Sequence, residues 1–216
     1  PAQVSCGIDV GISSLLTVVD SNNSFFKYDN PKAYRKNIKR LKYLQRCLSR
    51  KQKGSNNRKK AQYRLAKFHE RISNIRKDNL HKITTQLSNQ YSSISIEELN
   101  VKGMMKNHKL AGSIADASFY LFKQMLEYKT KSRGAKLRKV NRFYPSSKLC
   151  SVCGNKNNLL KLKDRSWTCS CGAIHDRDEN AARNILNCPD KECVEVKIKV
   201  KKSRIARAKK KDGLKT

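Results

Sequence analysis

The chain is 216 residues long and 38% hydrophobic, so it can bury one core of ordinary size, with insertions or a second small unit. Its 49 Lys and Arg against 17 Asp and Glu give a formal net charge of +32, which predicts nucleic acid as the partner without separating enzymes from structural proteins. No run approaches the roughly 20 apolar residues of a membrane span. No signal peptide opens the chain, so we expect no membrane partner and a cytoplasmic location, at the nucleoid when DNA is bound.

The first 30 residues predict three short strands. Hydrophobic and β-branched residues concentrate at 4–10, 15–19 and 24–28, with turns supplied by Gly11 and by the DSNN segment at 20–23. Because the connections are this short, we expect the three strands to form an antiparallel meander.

Residues 32–88 predict a helical hairpin. Apolar residues recur at helical spacing over 34–48 and, after a GSNN break at 54–57, again over 61–87. Between residues 31 and 82 stand 19 Lys and Arg, opposed only by Glu70 and Asp78. A solvated helix face normally mixes charges of both signs, so we expect this surface to face phosphates. The alternative is a solvated hairpin that follows the basic bias of the whole chain.

Strands and helices alternate in the rest of the chain as predicted from the sequence. We expect a strand at 93–97, a helix at 113–129, a strand at 136–144 and a helix at 179–186. The Lys-rich tail from Pro189 is expected to be weakly ordered. The elements predict an α/β fold with a single core and no internal repeat.

Four of the eight cysteines have the spacing of metal ligands: Cys150, Cys153, Cys169 and Cys171. Two closely spaced thiolate pairs separated by a loop are typical of a zinc ribbon, and a fourth thiolate leaves no open position for catalysis. We therefore predict structural Zn²⁺; two disulfides or an iron–sulfur cluster are the alternatives. The remaining cysteines lack partners at ligand spacing and are expected to be buried small side chains: Cys6, Cys47, Cys188 and Cys193.

Three acidic residues stand where a catalytic metal could be held. Asp9 and Glu97 lie within or at the end of predicted strands, and Asp178 opens the helix after the ribbon. An unpaired carboxylate inside an apolar strand costs free energy unless it faces a cleft. Asp178 has the alternative role of a helix cap, and Asp176 is the reserve candidate. Hydrolysis of phosphodiesters with two Mg²⁺ or Mn²⁺ ions requires carboxylates that converge from different elements.

Several short segments, most of them around the candidate acidic and cysteine residues, have the character of motifs: GIDVG at 7–11, IEELNVKGM at 96–104, LEYK at 126–129, YPSSKLCSVCG at 144–154 and HDRDENAA at 175–182. Together these segments resemble the TnpB family, the transposon-encoded proteins related to type V CRISPR effectors. The resemblance runs to about Asn187. It implies an RNase H-like (RuvC) fold and RNA-guided cleavage of double-stranded DNA with a transposon-end guide RNA. Glu98 departs from the Asp of many relatives.

Carried over motif by motif, the resemblance assigns catalytic metal binding to Asp9, Glu97 and Asp178 and zinc binding to the four paired cysteines. It divides the chain into RuvC parts at 1–30, 91–148 and 173–188. Between and after them lie a basic hairpin at 31–90, a zinc ribbon at 149–172 and a basic tail at 189–216. Relatives carry a further half before the first motif, so we expect this chain, which opens at Pro1, to be a nuclease module, a truncated gene product or one part of a split protein.

Two other function classes remain open at this point. A nucleic-acid-binding protein or repressor could keep the fold without cleavage, and a ribosome-like structural protein would share the net charge. A strand-transfer transposase would use the same fold and metals. The sequence carries no signal for oligomeric state.

Overall fold

A computed structural model describes residues 3–161 and 163–196. The described residues form eight strands: β1 (Ser5–Val10), β2 (Ser14–Asp20), β3 (Phe25–Asp29), β4 (Ser93–Glu97), β5 (Lys136–Val140), β6 (Ser166–Thr168), β7 (Ile174–Asp176) and β8 (Cys193–Glu195). They also form six α-helices: α1 (Ala33–Ser49), α2 (Asn56–Gln90), α3 (Val101–Met104), α4 (His108–Ala117), α5 (Phe119–Ser132) and α6 (Arg177–Leu186). In this part of the chain, no helix is both long and apolar enough to cross a membrane.

Six strands form one mixed sheet in the order β3-β2-β1-β4-β5-β8. The first three strands pair antiparallel, which confirms the predicted meander. Strands β1, β4 and β5 run parallel, with Ile8 opposite Ile96. Because carboxyl ends of parallel strands meet at one edge of a sheet, this register brings Asp9 and Glu97 side by side.

The two faces of the sheet are covered by different helices. Ile8, Ile94 and Ile96 are almost fully buried in the main core with residues of α2 and α5, such as Leu87 and Phe122. On the opposite face, α6 packs against β1 and β2. The α/β mixed sheet with helices is therefore confirmed, and helix α6 lies close to the strand that carries Asp9.

Gly7 permits the close packing of α6 on β1. A Cβ atom at this position would collide with the backbone of Ala182 and Leu186. We expect Gly7→Ala to push α6 off the sheet and to lower the free energy of unfolding by about 1–3 kcal/mol, as overpacking does elsewhere. Chemical denaturation measures the change. Gly112→Ala is the matched control, because a Cβ there meets no atom within 4 Å.

The predicted helical hairpin is confirmed as α1 and α2. Ser55 caps α2, since its side chain accepts the N–H of Arg58. The two helices pack through a small cluster of buried residues that includes Ala33, Leu41 and Ile72. The second half of α2 then enters the main core, so one continuous helix of 35 residues joins the hairpin to the sheet.

Three predicted boundaries were wrong. The helix expected at 113–129 is two helices, because Ser118 takes a left-handed conformation with φ 55° between α4 and α5. The strand expected at 136–144 ends at Val140, where a turn begins at Asn141. The tail expected to be weakly ordered from 189 contributes β8, which pairs antiparallel with β5. Residues 197–216 of that tail lie outside the described residues.

Candidate active site and zinc ribbon

The three predicted acidic residues line one cavity of about 840 Å³. Asp9 comes from β1, Glu97 from the end of β4 and Asp178 from the first turn of α6. Within the described residues, the four ribbon cysteines are the only set of three or more Cys, His, Asp or Glu ligand atoms grouped closely enough to hold a single ion. The carboxylates thus form a wider arrangement around the cavity.

The surroundings of the cavity raise the pKa values of Asp9 and Glu97. Burial, followed by the charges of Asp178 and Glu97, raises the pKa of Asp9 to about 7, against opposing effects of Arg177 and a backbone N–H. Burial also raises the pKa of Glu97 above its usual value. Raised carboxyl pKa values in a cleft are typical of functional sites, and a cation among these groups would relieve their repulsion.

In the absence of a divalent ion, we expect Asp9 to destabilise the fold at neutral and alkaline pH. Its pKa rises from 3.8 to about 7 on folding, so the folded state binds the extra proton and stability falls as pH rises through this window. Asp9→Asn should therefore increase the free energy of unfolding at pH 8 by on the order of 2 kcal/mol, and hardly at pH 4. Urea denaturation in EDTA at both pH values measures this, and an unchanged pH dependence would contradict it.

Asp176, the reserve candidate, has a different environment from Asp178. Its carboxylate caps α6 by accepting the N–H groups of Asp178 and Glu179, both at 3.0 Å. It also pairs with Lys27 at 3.1 Å. Burial alone would raise the pKa of Asp176, but these contacts lower it, and the resulting pKa lies below its usual value. The capping role that was an alternative for Asp178 thus belongs to Asp176, which is not among the residues lining the carboxylate cavity.

Arginine side chains also line the cavity, and the sequence analysis did not single them out. Arg165 lies 3.4 Å from the carboxylate of Asp178 and donates to the hydroxyl of Ser13 at 3.0 Å. The backbone carbonyl of Arg165 accepts the N–H of Arg177, which also faces the cavity. Neither Arg165 nor Arg177 stands at a sequence spacing that would indicate a functional role. Arg177 stands between two aspartates of the last motif, and that position is the one signal available.

The four predicted zinc ligands lie together. Their sulfur atoms are all within 4.8 Å of one another, with 3.8 Å between Cys150 and Cys171 and 3.6 Å between Cys153 and Cys169. A tetrahedron with Zn–S bonds of about 2.3 Å has edges of about 3.8 Å, so the donor set fits a zinc ion. All eight cysteines are free thiols and the four outside the ribbon are buried or half-buried, as predicted.

Contacts that were not predicted from the sequence stabilise the ribbon and connect it to α6. His175 Nε2 lies 3.1 Å from the sulfur of Cys150, and its ring packs 4.7 Å from Trp167. Side-chain amides of Asn180 and Asn184 both donate to the carbonyl of Leu149, at 2.7 and 2.6 Å. A histidine that contacts a metal ligand orients it. The spacing of Asn180 and Asn184, one helical turn apart, was the available signal.

Two family models match the chain. One, OrfB_IS605, described as "Probable transposase", matches residues 1–108. The other, described as "Cas12f1-like, TNB domain", matches residues 119–185. The first match contains Asp9 and Glu97, and the second contains the four cysteines and Asp178.

Curated relatives support the same assignment. A Streptomyces pristinaespiralis protein, provisionally named an RNA-guided DNA endonuclease, is 48% identical over 180 residues, covering 83% of this chain and 44% of the relative. InsQ of Escherichia coli K12, with the same provisional name, is 34% identical over 202 residues, covering 86% and 49%. TnpB-like protein L79 of Acanthamoeba polyphaga mimivirus is 35% identical over 193 residues, covering 84% and 36%. The chain spans less than half the length of these relatives.

Two cryo-EM structures share the fold. A chain of the Cas12f1–sgRNA–target DNA complex aligns with a TM-score of 0.62 at 24% identity, covering 87% of this chain and 51% of that chain. A chain of a CRISPR–Cas12f ternary complex aligns with a TM-score of 0.64 at 24% identity, covering 86% and 38%. The family model that matches residues 1–108 and the 48% identity to the Streptomyces relative show that the chain belongs to the TnpB family of probable transposases.

Proposed function

We propose that this chain is the divalent-metal-dependent DNA endonuclease module of a TnpB-like RNA-guided nuclease, on an RNase H-like (RuvC) fold. The observation that carries the proposal is that Asp9, Glu97 and Asp178, from three different elements, line one cavity. The raised pKa of Asp9 supports it, because three carboxylates in proximity are costly unless a cation is their partner.

In this proposal Asp9, Glu97 and Asp178 hold Mg²⁺ or Mn²⁺. Two such ions, when bound, activate water and stabilise the departing 3′ oxygen. Arg165 and Arg177 line the same cavity, where their guanidinium groups would hold the phosphate next to the carboxylates.

We propose that the four cysteines bind Zn²⁺ in a structural role. All four ligand positions would be filled by protein sulfur, which leaves none for substrate. Through Asn180 and Asn184, the folded ribbon then holds α6, and with it Asp178, at the cavity.

DNA and a guide RNA are the proposed partners. Two of the relatives are provisionally named RNA-guided DNA endonucleases, and one structural neighbour is part of a complex with sgRNA and target DNA. Because the chain spans less than half of these relatives, guided cleavage would belong to the longer assembly, in the cytoplasm at the nucleoid. The carboxylate chemistry belongs to this module.

The test is cleavage of end-labelled single-stranded DNA by the purified chain in Mg²⁺ or Mn²⁺, beside Asp9→Ala. We expect cleavage that requires the metal and disappears in the variant. Cleavage retained by Asp9→Ala would overturn the proposal. Calorimetry gives a second readout: Mn²⁺ binding should be lost in Glu97→Ala. Absence of both cleavage and Mn²⁺ binding in the unaltered chain would favour the second candidate, a nuclease-silent nucleic-acid-binding protein or repressor.

A further inference from the structure

We propose that the groove between α1 and the first half of α2 binds a single strand of nucleic acid, at a surface separate from the carboxylate cavity. The groove has a volume of about 810 Å³. We call it the hairpin groove. Its lining contains four basic side chains, two acidic ones and an apolar part formed by leucine, phenylalanine and isoleucine: Arg40, Arg64, Lys67, Arg71, Glu70, Asp78, Leu44, Phe68 and Ile75. The inference rests on the proposed function for its nucleic-acid partner and is independent of cleavage.

The hairpin carries a large positive charge that no protein group neutralises. Residues 33–75 contain 15 Lys and Arg, and Glu70 is their only acidic residue. Across the described residues, none of those 15 side chains forms a salt bridge, whereas Arg138, Arg165 and Arg183 elsewhere in the chain each pair with a carboxylate. Uncompensated charge of one sign repels itself, and a polyanion that releases its counterions is the partner that relieves it.

Part of the lining of the groove is apolar. This favours a single strand over a duplex as the ligand. Leu44 and Ile75 line this part between the cationic side chains, and Ile75 is 38% exposed. A duplex presents mainly phosphates to a protein surface and stacks its bases inside. A single strand can lay its bases and sugars on an apolar floor while its phosphates meet the arginines and lysine of the rim.

Exposed aromatic rings on the two helices of the hairpin provide further stacking surface. Tyr43 and Tyr63 are 51% and 67% exposed, on α1 and α2 respectively. The guanidinium of Arg40 lies 5.1 Å from the ring centre of Tyr43. Aromatic and guanidinium planes next to a basic groove are the features by which proteins bind single strands without sequence preference. An acidic amphipathic peptide would use the apolar floor but would leave most of the 15 cations unpaired.

Fluorescence anisotropy of the full chain in EDTA tests the proposal without cleavage. The probes are a labelled DNA strand of about 20 nucleotides, an RNA strand of the same sequence and the corresponding DNA duplex. The groove variant is Arg64→Gln/Lys67→Gln/Arg71→Gln. Its matched control, Lys39→Gln/Lys42→Gln/Lys60→Gln, removes the same charge from exposed positions of the hairpin outside the groove.

We expect the groove variant to weaken single-strand binding by at least about tenfold and to reduce the slope of log K against log salt by about 2, from three lost phosphate contacts. The control should change affinity less than about threefold. Ile75→Ser, which alters no charge, should weaken single-strand binding and leave duplex binding unchanged. Comparison of the DNA and RNA strands shows which kind of strand the groove binds. Equal losses of affinity for the two indicate recognition of backbone and base faces, and a loss confined to RNA indicates contacts to the 2′-hydroxyl.

Equal losses in the groove and control variants, or a duplex affected by Ile75→Ser as much as a strand, would overturn the proposal. Circular dichroism checks that each variant keeps its helices. Asp9→Ala should bind as tightly as the unaltered chain, so failure of the nuclease proposal and failure of this one are told apart. Where cleavage is measurable, the groove variant should raise KM and leave kcat unchanged.

Discussion

Asp178→Asn is expected to reduce metal-dependent cleavage by roughly 10²–10³-fold, while Asp176→Asn retains most of the activity. The two aspartates are separated by one residue but face different surroundings. Asp178 lines the carboxylate cavity, and Asp176 caps α6 and pairs with Lys27. Removing one charge from a set of metal ligands weakens the binding of the ions that the reaction requires.

The Asp176 variant is a matched control because asparagine is as good an N-cap as aspartate. It changes the same atoms by the same amount and keeps α6 in place. Single-turnover cleavage with saturating protein, at several Mn²⁺ concentrations, separates metal affinity from the chemical step. If Asp176→Asn lost as much activity as Asp178→Asn, the proposed ligand set would be wrong and Asp176 would replace Asp178.

Removal of zinc is expected to unfold the ribbon and to disable the cavity together with it. Structural zinc sites contribute about 10–16 kcal/mol of binding free energy, which the fold of such a small module depends on. The sheet formed by β6 and β7 has only two strands, too few to be stable alone. Arg165, which directly precedes β6, would leave the cavity, and Asn180 and Asn184 would lose the carbonyl of Leu149.

Trp167 makes this measurable, because it is the only tryptophan of the chain and lies buried in the ribbon. Cys150→Ser should shift its fluorescence toward that of an exposed indole, lower the zinc content measured by mass spectrometry and abolish cleavage. Cys47→Ser, in the hairpin, should change none of the three. A Cys150→Ser protein with full zinc content and unchanged fluorescence would rule out the four-sulfur site.

The parts of the structure that were predictable from sequence are those in which local pattern and burial agree. The strand carrying Asp9 and the hairpin follow from periodicity, since each buries one face of a regular element. The four cysteines follow from spacing. That Asp9 and Glu97 meet depends on their strands being parallel neighbours, which was not predicted from the sequence and which the register shows.

The features that were missed depend on tertiary contacts. Ser118 ends one helix and begins another although its neighbours have a continuous helical pattern. Strand β8 has three residues, two of them exposed, and exists because β5 offers it an open edge. The contact of Arg165 with Ser13 spans 152 positions. No local propensity encodes such pairs, because they arise only when distant segments have already packed.

The parallel pairing of β1 with β4 has a consequence for how the protein is made. Ser5 pairs with Ser93, and the whole hairpin lies between them in sequence. At a synthesis rate of about 5–20 residues per second, β1 waits roughly 4–18 s for its neighbour. During that interval the nascent meander has an unpaired edge at β1 next to the apolar side chain of Ile8, the kind of edge on which chains aggregate.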